Sequence, residues 1–371
     1  MLPVDPLASE CSTRCVWSSI CGDGAWNITT TIAAPKEPCS QPLGSPCDNG
    51  QATVWRLNYS QRFNCSIPGK DPDITPLPPG DGGGGGGGGG TPSSPSALQQ
   101  IESLLQQNPF GILPCNQIEK FLELGRYQAP QSVINRLLTL DQQYSIYNPI
   151  FRYHLMGIID ANGKVINCDY FPVKISRLPT INGRQVTASE LLAMFRKDIN
   201  GYINTAKATF EPYKYGSVDD ETLWNSANPL GAMLHINMLD DGTVIVTEFN
   251  TDRFTVETAY TPKDFEHPVS GNRRWGVTAD ADGGYTFYTM GVDRITLGLP
   301  DLLNKYTNFG FSTADRLWGS LQEKMTAKIN ENGGAANVVA PTISRPDYKL
   351  VKDVIDGTIS IETFKQKIGC K

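Results

Sequence analysis

Histidine is scarce in this 371-residue sequence: there are three, and none precedes His154. Positive charge is not in excess either, with 32 Lys+Arg against 38 Asp+Glu and a formal net charge of -6. A general nucleic-acid binder needs a basic footprint, so nucleic acid is not an expected partner. No run approaches the roughly 18 consecutive apolar residues of a membrane span, and no bilayer crossing is expected. Catalytic signatures are missing as well. There is no Gly-x-Ser-x-Gly elbow, no His-Glu-x-x-His helix, no Walker loop and no Cys-x-x-Cys pair. Nothing calls for a cofactor or a metal, and none is assigned. Met1 to Ser9 also lacks the basic n-region and apolar h-region of a secretory signal.

What is present falls into three unlike segments. Residues 1–67 hold six of the nine cysteines: Cys11, Cys15, Cys21, Cys39, Cys47 and Cys65. The segment has no helical periodicity and carries short β-like runs such as Ala52 to Leu57. So short a module buries too little apolar surface to be stable without staples, which makes up to three disulfides the preferred reading. Zinc is the competing reading. Cys11-x3-Cys15 fits it loosely, but no second close pair and no nearby histidine follow. The pairing of six cysteines stays open among 15 connectivities. Disulfides imply an oxidising compartment, which conflicts with the missing signal peptide. A start inside a longer precursor reconciles the two.

Residues 68–95 read as a tether. Prolines flank an unbroken glycine run from Gly82 to Gly90. Such a chain cannot bury enough surface to offset its ordering entropy. The glycine run matches a dinucleotide fingerprint only trivially, with no strand before it and no helix after it.

Residues 96–371 are the main folded part, helical over 96–145 and a sheet with helices over 146–371. Leu98 to Leu105, Ile118 to Leu124 and Val133 to Leu140 repeat at helical spacing. Three hairpins are expected after Tyr147. They turn at Asn162-Gly163, Asp241-Gly242 and Asp282-Gly283, dipeptides that supply the positive φ of tight turns. Thr187-x-x-Glu190 and Ser312-x-x-Asp315 read as helix starts, and two shorter helices are expected near 350–355 and 361–368. The fold class is α+β: an antiparallel sheet built from hairpins with packed helices, preceded by a small disulfide-rich β-like head and a disordered linker.

The densest polar stretch is Glu266 to Trp275, with His267, Ser270, Asn272, Arg273 and Arg274 in an expected loop. A histidine beside arginines suits general acid–base work on a phosphodiester, with arginine stabilising developing negative charge. The candidate catalytic set is His267, Asn272, Arg273 and Asp293, with Asp293 orienting His267 or pairing with an arginine. The competing reading is a salt-bridged structural turn, and it is the preferred one. His235 and Glu248 form a second candidate pair across a hairpin, or an ordinary cross-strand contact. His154 is read as a surface residue. Asp280-x-Asp282-Gly283 invites a calcium reading, but Gly291 stands where the loop's final carboxylate belongs, and a hairpin turn explains the same residues. Trp224, Trp275 and Trp318 with Tyr260, Tyr285 and Tyr288 suit a core better than a carbohydrate-stacking platform.

The Cys/Trp-rich head, the glycine run, and a body holding His267 to Arg273, Tyr285 to Arg294 and Asp315 to Trp318 together resemble uncharacterised secreted or surface proteins of bacteria. In those proteins such a module is often the C-terminal part of a long polypeptide. The resemblance implies an extracellular or cell-surface location and a longer precursor, and carries over no catalytic residue. Two functions follow as expectations. One is a tethered binding or interaction domain with a protein or carbohydrate ligand. The other is a secreted effector or toxin-like hydrolase, a nuclease among the options, using the His/Arg loop.

Overall fold

A computed structural model describes residues 12–20, 26–33 and 54–63, and then 106–111, 113–238, 241–296 and 300–370. The chain divides into two compact units, Met1–Ser93 and Ser94–Lys371. The expected helix over Leu98 to Leu105, the glycine run and the six head cysteines' bonding lie outside the described residues.

Among the described residues the first unit has the strands β1 (Ser12–Ile20), β2 (Trp26–Ala33) and β3 (Val54–Phe63). They form an antiparallel sheet in the order β2-β1-β3.

The second unit is α+β. Among the described residues its helices are α1 (Cys115–Gly125), α2 (Gln131–Ser145), α3 (Ala188–Lys197), α4 (Glu221–Asn225), α5 (Pro300–Glu331), α6 (Tyr348–Ile355) and α7 (Ile361–Lys367). The sheet is antiparallel throughout and uses β5 (Asn167–Arg177), β8 (Thr209–Pro212), β11 (Met233–Asn237), β12 (Gly242–Phe249), β13 (Arg253–Tyr260), β14 (Val269–Ala279), β15 (Tyr285–Ile295) and β16 (Ala335–Val338). The order is β16-β5-β15-β14-β13-β12-β11-β8. Short pieces extend it: β4 (His154–Leu155) pairs with β13, and β17 (Thr342–Ser344) with β5, while β6 (Thr180–Ile181) with β7 (Arg184–Gln185) and β9 (Lys214–Tyr215) with β10 (Val218–Asp219) form two small ribbons of their own.

Period-2 alternation sorts the side chains onto two faces. On one face Phe171, Val173, Leu234, Val244, Phe254, Val256, Trp275 and Phe287 meet Leu191 and Phe195 of α3, and Leu317, Trp318, Leu321 and Met325 of α5. Phe254 and Trp275 stack at 4.9 Å, and Trp275 meets Trp318 edge-on at 5.8 Å. The tryptophans are core, not a platform. The other face is covered in two patches. Cys168, Met290 and Val292 meet α1 and α6. Met233, Ile245 and Ala259 meet Val133 and Leu137 of α2. Helices therefore cover both faces.

Local signals explain much of this. Thr187 accepts from the Glu190 amide while Glu190 caps the Thr187 amide, so the box that starts α3 is complete. β11 and β12 pair as a hairpin, as do β14 and β15, the second turning through Gly283 at φ 85°. Lys174 reaches both Asp280 (3.0 Å) and Asp282 (3.1 Å) at that turn, so a lysine ammonium already meets these carboxylates.

Two expectations are corrected. Asn162-Gly163 makes no hairpin. Instead Gly163 donates to the Ile295 carbonyl at 2.8 Å, and a Cβ there would come within 3.0 Å of the Ile295 amide. The glycine serves close backbone approach to the end of β15. Ser312 and Asp315 do not start a helix either, because α5 is already under way from Pro300. Asp315 is spent laterally, on a two-pronged pair with Arg345 at 2.9 and 2.8 Å.

Cys115, at the head of α1, is bonded to Cys370, beyond the end of α7, across a sequence separation of 255. Cys168 is free and buried. Burial raises its thiol's pKa well above the usual value, and the carboxylates of Asp293 and Asp169 push the same way.

Candidate functional site

The polar stretch at 266–275 is not a loop. From Val269 it is strand β14, paired with β15 along its whole length. Alternation then separates neighbours that look adjacent in sequence. Arg273 lies on the α5 face with Trp275, and Asn272 on the opposite face.

Arg273 grips Asp169 of β5 in a fork, Nη1 to Oδ1 at 2.9 Å and Nη2 to Oδ2 at 2.7 Å. The guanidinium lies 4.2 Å from the Trp318 ring centre and also donates to Thr289. It has room because its cross-strand partner is Gly291, where a Cβ would overlap the guanidinium. Asp293 stands 3.9 Å away, and Asn167 donates to both carboxylates, at 2.8 Å to Asp169 and 3.3 Å to Asp293. Arg345 in turn donates to Asn167. Burial pushes the Asp293 carboxyl above the usual carboxylate range, and the neighbouring Asp169 charge adds to that. Of the candidate set, Arg273 and Asp293 are thus brought together, but inside a buried network in which Arg273 is committed to Asp169.

His267 and Asn272 are elsewhere. The His267 ring is buried against Gly242, with Nδ1 2.8 Å from the Val269 carbonyl and Nε2 without a partner. Burial lowers its pKa to about 4, so the imidazole is neutral near pH 7. Asn272 donates to the Leu124 and Tyr127 carbonyls at 3.1 and 3.4 Å, pinning the end of α1 to the sheet. Its Oδ1 is buried and has no donor. Glu257 sits directly opposite Asn272 in the β13–β14 register, 8% exposed, with one carboxyl oxygen also unpartnered. Burial alone raises Glu257 to about 7.

His235 does not meet Glu248. Glu248 accepts from Arg253, Thr255 and Arg274. His235 instead places Nδ1 2.9 Å from Asp264, which also accepts from Thr243. Thr243 in turn meets Thr261 at 3.0 Å. Asp264 was missed because it lies 29 residues from His235 in sequence, in a turn closed by the Thr261 and Phe265 backbones. Phe265 adopts a left-handed φ of 57° there, an uncommon conformation for a bulky residue. His154 is exposed and stacks on Tyr260 at 4.9 Å.

A surface pocket of about 390 Å³ opens between α3 and the C-terminal part of α5. Ile181, Leu191, Met194 and Ile329 give it an apolar floor. Lys328 stands at the rim, held 3.2 Å from Asp198 and 4.2 Å from the Tyr202 ring centre.

No family model matches the chain, and no curated protein does. Solved structures overlap part of the chain loosely. One is Ara h 8.0201, at 9% identity and TM-score 0.24 over 43% of this chain and 99% of that one. Another is a putative uncharacterised protein from Bacillus thuringiensis, at 13% and 0.25 over 43% and 98%. A third is a conserved protein from Geobacillus kaustophilus, at 8% and 0.25 over 46% and 99%. At such scores the likeness carries no argument about this chain.

Proposed function

We propose that the chain is an extracellular, tethered binding module of a bacterial secreted or surface protein, and that its body takes ligand at the α3–α5 pocket. The pocket carries this reading: an apolar floor of Ile181, Leu191, Met194 and Ile329 with charge only at its rim. Sites of this kind take an apolar group of the ligand inside and orient it with a few polar contacts at the mouth. A protein or carbohydrate ligand presenting a small apolar face suits it. The state of the catalytic candidates supports binding over hydrolysis. Arg273 is occupied by Asp169 and stacked on Trp318, while His267 is buried, neutral and on a different contact set.

Methyl NMR of the full chain during titration with a panel of small apolar fragments tests the pocket. Fragment-dependent shifts of the Met194 and Ile329 methyls, abolished by Met194→Glu, support the reading. Shifts confined to other regions, or hits indifferent to that substitution, refute it.

A further inference from the structure

His235, Asp241 and Asp264 come from three places in the chain: a central position of β11, the residue just before β12, and the 261–265 turn. Their ligand-type atoms nevertheless all lie within 4.8 Å of one another. Leu234 and Ile236 point into the α5-side core, so His235 projects from the other face. The Asp264 Oδ2 that meets His235 also accepts from the Thr243 hydroxyl, and Thr243 in turn meets Thr261. Such outer hydrogen bonds fix the orientation of a ligating carboxylate. Asp241 accepts from the Met238 amide through one oxygen, at 3.3 Å. Burial is graded. The side chains of His235 and Asp264 are 8% and 2% exposed, whereas Asp241 is open to solvent. That leaves an entry path and room for water on one side.

We propose that His235, Asp241 and Asp264 form a binding site for one divalent transition-metal ion, with Asp241 as the solvent-side ligand. One imidazole nitrogen and two carboxylates make a mixed nitrogen–oxygen set of the kind taken by zinc or manganese. Two carboxylates balance the ion's charge, and their mutual repulsion in the free site favours its uptake.

Manganese is the probe, because carboxylate and imidazole hold it while thiols prefer softer ions, which keeps the cysteine-rich head silent. The full chain is titrated with Mn²⁺ and free ion is followed by electron paramagnetic resonance. Wild type is expected to take up one ion that Asp241→Asn binds at least about tenfold more weakly. Because Asp241 is exposed, that variant keeps the core, and its thermal midpoint without metal reports whether it does. Added Mn²⁺ should raise the wild-type midpoint and leave that of the variant unmoved. Wild-type affinity in Asp241→Asn, or no Mn²⁺ uptake by wild type at millimolar concentration, overturns the assignment.

Discussion

Glu257→Gln should make the protein more stable, and by an amount that depends on pH. Glu257 projects from β13 away from the α5-side core, is 8% exposed, and has a carboxyl oxygen with no partner. Across the register stands Asn272, whose amide donates to two carbonyls of the α1 end while its own oxygen has no donor. A proton on Glu257 removes a buried charge and turns the carboxyl into a donor on the residue opposite the one that carries the unpaired oxygen. Burial accordingly raises the carboxyl from 4.5 to about 7. The native state then binds this proton more tightly than the unfolded state. Below pH about 4.5 both states hold it, and Glu257 carries no penalty. Between about 4.5 and about 7 the unfolded state is ionised and the native state is not, so stability falls by about 1.4 kcal/mol per pH unit. Above about 7 both are ionised, and the penalty levels off near about 3 kcal/mol. Glutamine keeps a permanent donor and does not titrate. Urea unfolding of the full chain from pH 4.5 to 8.5, for wild type and Glu257→Gln, reads the difference directly and cancels every other titrating group. A gap that widens with pH and then flattens supports the argument. A gap independent of pH, or one that widens toward acid, refutes it.

His267 is expected to act in the opposite sense. Its pKa is lowered to about 4, so stability should fall as pH drops below about 6.5, and His267→Gln should remove that loss in the same urea series. Arg273→Met should cost about 3 to 5 kcal/mol, because it strands Asp169 and Asp293 in the interior, and Asp169→Asn in the same chain should recover part of it. Gly291→Ala should destabilise by displacing the Arg273 guanidinium, with a smaller effect in the Arg273→Met background, as a double-mutant cycle would show. Removing the Cys115–Cys370 bond by paired serine substitution should cost about 2 to 5 kcal/mol in thermal or urea unfolding. Thiol titration should find no reactive cysteine in the native chain and one, Cys168, after unfolding. Six further thiols would remove the case for an oxidising compartment.

Where the signal was local, the sequence was readable. The Thr187–Glu190 box and the Asp282-Gly283 turn each depend on a handful of consecutive residues, and each is found; the hairpin expected around Asp241-Gly242 is found too, but with Gly242 as the first residue of β12, paired with Ile236, and not as a positive-φ turn residue. Asn162-Gly163 carries the same turn chemistry, but its partner is Ile295, and nothing nearby announces that. Ser312 and Asp315 have the right spacing for a helix start, yet a helix begun at Pro300 runs through them. The site was less legible for one reason. Its partnerships are distant: Arg273 with Asp169 across 104 residues, and His235 with Asp264 across 29. Reading 266–275 as a loop hid the strand alternation that sends Asn272 and Arg273 to opposite faces.

The Cys115–Cys370 bond has a mechanical consequence. A pull applied to the chain before residue 115 and after residue 370 is carried through one covalent bridge. Everything between them, including the entire ten-stranded sheet, lies in a closed loop that bears none of the load. In the tethered role proposed above, with drag or the withdrawal of a bound partner as the load, the fold would keep its shape under tension that would otherwise peel β5 from β15. Under reducing conditions the same tension would run through the sheet itself, so redox state, more than thermal stability, would set how much force the body withstands.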